Sequence, residues 1–357
     1  MPMIDELFRI VLENDGSDLH LAQGQPPKMR VHGSIEKIKD GILTEADLLL
    51  NLREICTDGY WDRFNDTGDL DFAYEMGDAA RFRCNYHRHM NGFGAVFRMI
   101  PYEIQSFDQL GVPEVLKTFA DLNSGLVLVT GPTGSGKSTT LAALIDYINS
   151  TSAKHILTIE EPIEFVHSNK KSIIVQREVG IDVDSFGTAL RDAGHGDYDV
   201  ILVGEMRDLE TISLAISAAE AGNLVFGTLH TNSAAKTIDR IIDVFPAEKQ
   251  PQIRTMLSES LKGVVSQLLL RRKDGKGRVA ACEILLHTRA LEGIIREGGA
   301  TLNKMYSTMM SGRSMGMQIM DDVIEQYYKD GLITGHEAYM KSLEKERFER
   351  IREDKQE

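Results

Sequence analysis

The run Gly131, Pro132, Thr133, Gly134, Ser135, Gly136, Lys137, Ser138, with Thr139 after it, has the spacing G-x-x-x-x-G-K-[ST]. Glycines at these positions let backbone N–H groups turn inward around phosphate oxygens. Lys137 adds a point charge, and the Ser138 hydroxyl is placed to reach Mg²⁺. The setting makes the pattern specific. "GLVLVT" before it reads as a strand, and Leu141, Leu144, Ile145 and Ile148 after it fall at i, i+3, i+4 and i+7 of a helix. A glycine turn serving structure alone has no need of Lys-Ser at its end. The expected chemistry is binding of a nucleoside triphosphate.

A second stretch, "VILVGEMRD" (200–208), ends an apolar strand in Gly204, Glu205, Arg207 and Asp208. Charges often mark where a strand surfaces, but ligands of α/β sheets bind at that same lip. With strand 200–203 taken as the neighbour of strand 126–130, Glu205 faces the phosphates. There it can hold the Mg²⁺ hydration shell or position a water for in-line attack. "TIEEPIEF" adds Glu160, Glu161 and Glu164, and "TLHTNSA" adds His230 and Thr231, each after an apolar strand. Converging on one edge, they suggest acids for water and metal, with a histidine sensing phosphate.

The elements that must position these residues divide the chain. Residues 1–100 read as α+β: a helix over 3–14, a strand in "SDLHLA", a strand or hairpin in "PKMRVHGSIEKI" and helices around 44–65. The strands "DLDFAYEM", "ARFRCNYHRH" and "FGAVFRMI" follow, the last two joined at the hairpin signal "NG". Alternation in "RFRCNYH" sends Phe82, Cys84 and Tyr86 to one face and Arg81, Arg83, Asn85 and His87 to the other, with Arg98 emerging nearby. The plain account of that basic face is a solvated surface. Residues 101–118 read as a linker, and 119–357 as an α/β domain of alternating strands and helices that turns mainly helical after about 249, interrupted by "GRVAACEILL".

Composition narrows the class. A formal charge of −14 argues against a nucleic-acid binder, whose affinity comes from neutralising phosphates. Cys56, Cys84 and Cys282 are far apart, with no C-x-x-C pair, and offer neither a disulfide framework nor a zinc ribbon. The start is amphipathic and acidic, unlike a signal peptide. No uncharged apolar stretch approaches a membrane span. The expected setting is cytoplasmic.

Taken together, GPTGSGKSTT, TIEEPIEF, VILVGEMRDLETI and GTLHTNSAAKTIDRIIDVFP resemble the Walker A, Asp box, Walker B and His box of PilT-type type IV pilus retraction ATPases, within the secretion ATPase superfamily. The resemblance spans nearly the whole chain. It implies an ATP- and Mg²⁺-dependent motor for pilus disassembly and twitching motility: a RecA-like P-loop domain with a smaller PAS-like N-terminal domain, assembled as a homohexamer. It also implies a position at the inner membrane through a pilus platform protein, a paralogous retraction ATPase as a further partner, and no nucleic acid. Arg81, Arg83 and Arg98 become arginine fingers. Glu164 becomes the water-activating acid, with Glu160 and Glu161 near the metal. The short N-terminal domain and the lack of a tetracysteine insert favour retraction over a pilus assembly or type II secretion ATPase.

The chain departs from the family in "AGHGDYD", where Leu-Arg-x-Asp-Pro-Asp is usual, and at Glu161, Asn223 and Glu292. These departures leave open a weakly hydrolysing accessory paralogue.

Overall fold

The computed structural model describes residues 4–31, 34–77, 79–100, 103–298 and 302–354. Turn residues 32–33 of the expected hairpin, the first residue of the expected 3–14 helix, residues 101–102 of the expected linker and the last three residues lie outside them. Two compact units form: Met1–Glu103 with Pro162–Val166, and Ile104–Glu161 with His167–Glu357. Among the described residues no helix is long and apolar enough to cross a membrane.

The first unit is a six-stranded antiparallel sheet in the order β3-β2-β1-β6-β5-β4. Its strands are β1 (Gly16–Ala22), β2 (Lys28–Val31), β3 (Ser34–Lys37), β4 (Asp69–Met76), β5 (Ala80–His89) and β6 (Gly92–Ile100). Helices α1 (Ile4–Glu13), α2 (Glu45–Glu54) and α3 (Asp58–Thr67) supply the other layer. Helix α1 contributes Ile4, Leu7, Phe8 and Val11 to the core, and a capping box between Thr44 and Asp47 starts α2. Phe82, Cys84 and Tyr86 are fully buried, as strand alternation requires.

The second unit holds a seven-stranded sheet in the order β13-β12-β7-β11-β10-β8-β9. Its strands are β7 (Gly125–Thr130), β8 (His155–Glu160), β9 (Ile173–Glu178), β10 (Val200–Val203), β11 (Leu224–Leu229), β12 (Leu261–Arg271) and β13 (Arg278–Leu286). All neighbours run parallel except β12 and β13. Helices α4 (Phe107–Leu110), α5 (Lys137–Thr151), α6 (Phe186–Ala193), α7 (Leu209–Ala221), α8 (Ala234–Asp243) and α9 (Gln250–Ser260) accompany this sheet. Helices α10 (Arg289–Glu297), α11 (Leu302–Ser311), α12 (Met320–Lys329), α13 (Gly335–Lys341) and α14 (Lys345–Phe348) follow β13. Helix α5 buries the Leu141, Leu144, Ile145 and Ile148 stripe.

Three expectations are corrected. Strand β10 is not the neighbour of β7, because β11 lies between them and pairs with both. Every residue of β11 is buried, so it stands inside the sheet rather than at an edge. Residues 261–271, expected to be helical, form β12; its apolar run is buried on both faces, and such a run has no periodicity to separate strand from helix. The expected linker 101–118 is largely structure of the second unit, since Phe107, Val112 and Leu116 pack in a core with Val127, Ile145 and Phe226.

Candidate nucleotide-hydrolysis site

In the second unit, β7 ends in the buried Thr130 and hands the chain to the glycine-rich loop. Gly131 has φ 145°, and a Cβ there would sit 2.3 Å from the Gln267 carbonyl oxygen, so only glycine fits. Gly136, at φ 88°, precedes the first residue of α5, Lys137. The Lys137 ammonium donates to the carbonyls of Gly131 (2.8 Å) and Pro132 (3.2 Å). Ser138 follows, exposed in the first turn of α5, where backbone N–H groups face an anion.

The residue that shapes this loop carries no local signal in the sequence. Gln267, on β12 and almost fully buried, donates from Nε2 to the Ser135 carbonyl (2.8 Å) and accepts from Thr140 Oγ1 (2.9 Å). Nearby, the Thr130 hydroxyl lies 2.8 Å from that of Ser266 and 3.5 Å from that of Thr237, which lies 2.6 Å from the Thr231 hydroxyl.

The carboxylate at the end of β10 is fixed by backbone pairing on both sides. Gly204 N–H donates to the Ile159 carbonyl (2.8 Å), Met206 N–H donates to the Thr228 carbonyl (3.0 Å), and the Thr228 hydroxyl donates to the Gly204 carbonyl. Glu205 Oε1 then lies 2.9 Å from His230 Nε2 and 2.6 Å from Arg207 Nε. Gly131 N–H donates to the Leu229 carbonyl, so His230 stands beside the start of the glycine loop. Glu205 therefore reaches from the end of β10 to the residue that follows β11, the strand next to β7. Burial would raise its carboxyl, but the hydrogen bond and charge of Arg207, then those of His230, hold it below the ordinary value. Arg207 also lies 3.7 Å from Glu161. Asp208, the last charge of the stretch, caps α7 by accepting from Thr211 N–H.

Glu160 turns to the other side. Its Oε1 accepts from Thr158 Oγ1 (2.8 Å) and from Gln176 Nε2 (3.3 Å) on β9. Glu205, His230 and Glu161 thus share one connected cluster through Arg207, which the sequence reading left without a role.

The other expected residues belong to the first unit. Arg83 and Arg98 are directly opposite in the β5–β6 register. Arg83 pairs with Glu164 (3.3 Å), and Arg81 Nε donates to the Ile163 carbonyl (3.2 Å) besides pairing with Glu75. Arg98 donates to the buried Asp18 at 3.0 Å.

Of the departures from the family pattern, Glu161 stands in the Arg207 cluster and Glu292 on α10, whereas Asn223 and Tyr198 lie at the opposite ends of the strands. Asn223 Nδ2 donates to the Tyr198 carbonyl, the Tyr198 ring lies 4.3 Å from that of His155, and His155 N–H donates to Asp199 (2.8 Å). These residues precede β11, β10 and β8, whereas Glu205 and His230 follow β10 and β11. Six residue steps separate Asp199 from Glu205, about 15–20 Å of strand.

Strand order and loop placement together put the second unit among RecA-like P-loop ATPases. The particular lineage is equally plain: the chain belongs to the family described as Type II/IV secretion system protein, whose profile matches residues 1–355. It is 50% identical over 345 residues to the type IV pilus retraction ATPase PilT of Pseudomonas aeruginosa, covering 97% of this chain and 99% of that one. To the type IV pilus ATPase PilU of the same organism it is 37% identical, covering 94% and 87%. A crystal structure of the pilus retraction motor PilT with bound ADP superposes with a TM-score of 0.87 at 43% identity, covering 98% of this chain and all of that one.

Proposed function

We propose that the chain is an ATP-hydrolysing motor that powers type IV pilus retraction, and with it twitching motility. The observation that carries the hydrolytic part is the Glu205 carboxylate, held by Arg207 and by His230, the residue after Leu229, whose carbonyl accepts from Gly131 of the glycine loop. The retraction part rests on full-length similarity to PilT, at 50% identity against 37% for PilU.

ATP lays its phosphates in the cradle from Gly131 to Thr139, and Lys137 exchanges its two carbonyl partners for phosphate oxygens. The residues present suit Mg²⁺: Ser138 and Glu205 are hard oxygen donors, and among the described residues no cluster of three or more His, Cys, Asp or Glu forms a protein-only cage. Ser138 would hold the ion directly and Glu205 through water; when bound it neutralises charge on the phosphates. Glu205 polarises the attacking water. As water bonds to the γ-phosphorus, the bond to the β–γ bridging oxygen breaks, and ADP and phosphate leave. His230 holds the carboxylate in place and sits where it can sense the γ-phosphate.

The chain works as a homohexamer in which Arg81, Arg83 and Arg98 reach phosphate as arginine fingers. Support comes from the pairing of Arg83 and Arg98 on one face of the small sheet. Glu164, paired with Arg83, stays with the arginines in this scheme; Glu161 flanks the metal beside Arg207, while Glu160, turned to Thr158 and Gln176, holds the end of β8 instead. The ring is cytoplasmic and peripheral at the inner membrane, held by a platform protein and working beside a paralogous ATPase.

Deleting the gene tests the direction of work. Retained surface pili that no longer retract support this reading, and loss of pili would make the chain an assembly or secretion motor. Size-exclusion chromatography with in-line ATPase assay should place activity at the mass of six chains.

A further inference from the structure

Glu283, on β13, is completely buried, yet it is a carboxylate. Its register partner on β12 is Ser266, whose hydroxyl touches Thr130 at the base of the phosphate loop. One carboxylate oxygen accepts the N–H of Ala234 at 2.7 Å, and the other accepts the N–H of Met320 at 3.4 Å. These are the first residues of α8 and α12. The residue before α12, Ile319, offers no side-chain cap, so Glu283 satisfies one of the helix's open N–H groups. Two helix N-termini also favour a negative charge between them. Ile284 and Gln318 exchange backbone hydrogen bonds (2.9 and 3.0 Å), bringing the start of α12 to the strand.

The start of α8 matters because only Thr231, Asn232 and Ser233 separate it from His230. Thr237, in the first turn of α8, holds the Thr231 hydroxyl at 2.6 Å and donates to the Ser233 carbonyl at 2.7 Å. The loop bearing His230 is thus fastened to α8, and α8 is fastened to Glu283. A buried carboxylate is expensive to desolvate, and an apolar residue of like volume would often serve stability as well. What an apolar residue could not do is join two helix starts at fixed spacing.

We propose that Glu283 is a positioning residue for hydrolysis, a buried tether that holds the loop carrying His230 to the start of α12. It rests on the catalytic reading of the Glu205–His230 pair. Through the tether, a change at the loop on nucleotide binding reaches the C-terminal helices.

The test is Glu283→Gln in the full chain. The amide keeps the volume but has one accepting oxygen, so it can serve one N–H and must turn a donor toward the other. Expected is a kcat for ATP about ten-fold lower with KM within about two-fold. In the wild type, a non-hydrolysable ATP analogue should slow amide exchange at Met320–Val323, and in Glu283→Gln that remote protection should vanish while protection of the glycine loop remains. Wild-type kcat, or unchanged nucleotide protection at Met320–Val323, overturns the proposal. Glu283→Asp, one methylene short but still charged, serves if the amide variant does not fold; failure of both to fold would make Glu283 a residue of core stability alone and equally overturn it. His230→Ala separates the two readings: full activity there sinks the role of the pair, while the exchange measurement still judges the tether.

Discussion

Replacing Gln267 by methionine should weaken ATP binding more than it slows the chemical step. The side chain is 2% exposed and joins the Ser135 carbonyl to the Thr140 hydroxyl at 2.8 and 2.9 Å. Methionine fills similar volume and offers no hydrogen bond. Each buried partner left unsatisfied costs about 1–3 kcal/mol. Thr140 has an alternative, because its own N–H already lies 3.0 Å from the Gly136 carbonyl and its hydroxyl can turn toward that oxygen. Ser135 has no such alternative in the loop's own geometry, so a total near 2–4 kcal/mol is expected, roughly the sum with Thr140 at the low end. The loop from Ser135 to Lys137 then loses a fixed conformer, and reordering one residue at about 1–2 kcal/mol raises the KM for ATP about ten-fold. Because the variant leaves Glu205 and His230 in place, kcat should stay within about two-fold. Urea unfolding with and without ADP, beside steady-state kinetics, reads all three quantities. A fall in stability with no change in KM would refute the reasoning and confine Gln267 to the core.

Three further outcomes are expected. His230→Ala should lower kcat by about 10–100-fold while leaving ATP affinity intact, because the imidazole positions Glu205 rather than holding phosphate tightly; equilibrium binding of a fluorescent ATP analogue beside turnover checks this. Stability against pH should carry two opposite signatures. The depressed carboxyl of Glu205 contributes stability present above the ordinary carboxylate value and lost as pH falls through the depressed one, so Glu205→Gln should flatten the acid loss. Burial holds the Glu283 carboxyl above its ordinary value despite the Ala234 and Met320 N–H groups, so the wild type should gain stability relative to Glu283→Gln as pH falls through that raised value; unfolding midpoints across the acid range report both. Asn223→His, at the far end of the strands, should shift the melting temperature while kcat and KM stay within about two-fold.

The chemistry-bearing ends of the strands were legible because each carries a local signal. A glycine loop between strand and helix, and a charged residue closing an apolar run, can be read without knowing what pairs with what. The order of the strands could not be read, since β11 enters between β7 and β10 from far along the chain and parallel pairing leaves no mark in the flanking residues. Gln267 and Glu283 were missed for the same reason. A polar residue inside an apolar strand looks like any other until its partners, 132 and 49 residues away, are brought to it. Asn223 and Tyr198 show the converse, because a motif written along the sequence crosses the sheet from one end of its strands to the other. Asn223 opens the stretch that His230 closes, with all of β11 between them. The arginines of β5 were found by alternation alone, which set their face and said nothing of their partners.

Single-turnover hydrolysis by Glu205→Gln, measured beside ATP binding to the same preparation, tests the central claim most directly. Binding should match the wild type, and the chemical step should slow by about a hundred-fold or more. Hydrolysis at the wild-type rate would contradict the assignment of Glu205 to the attacking water.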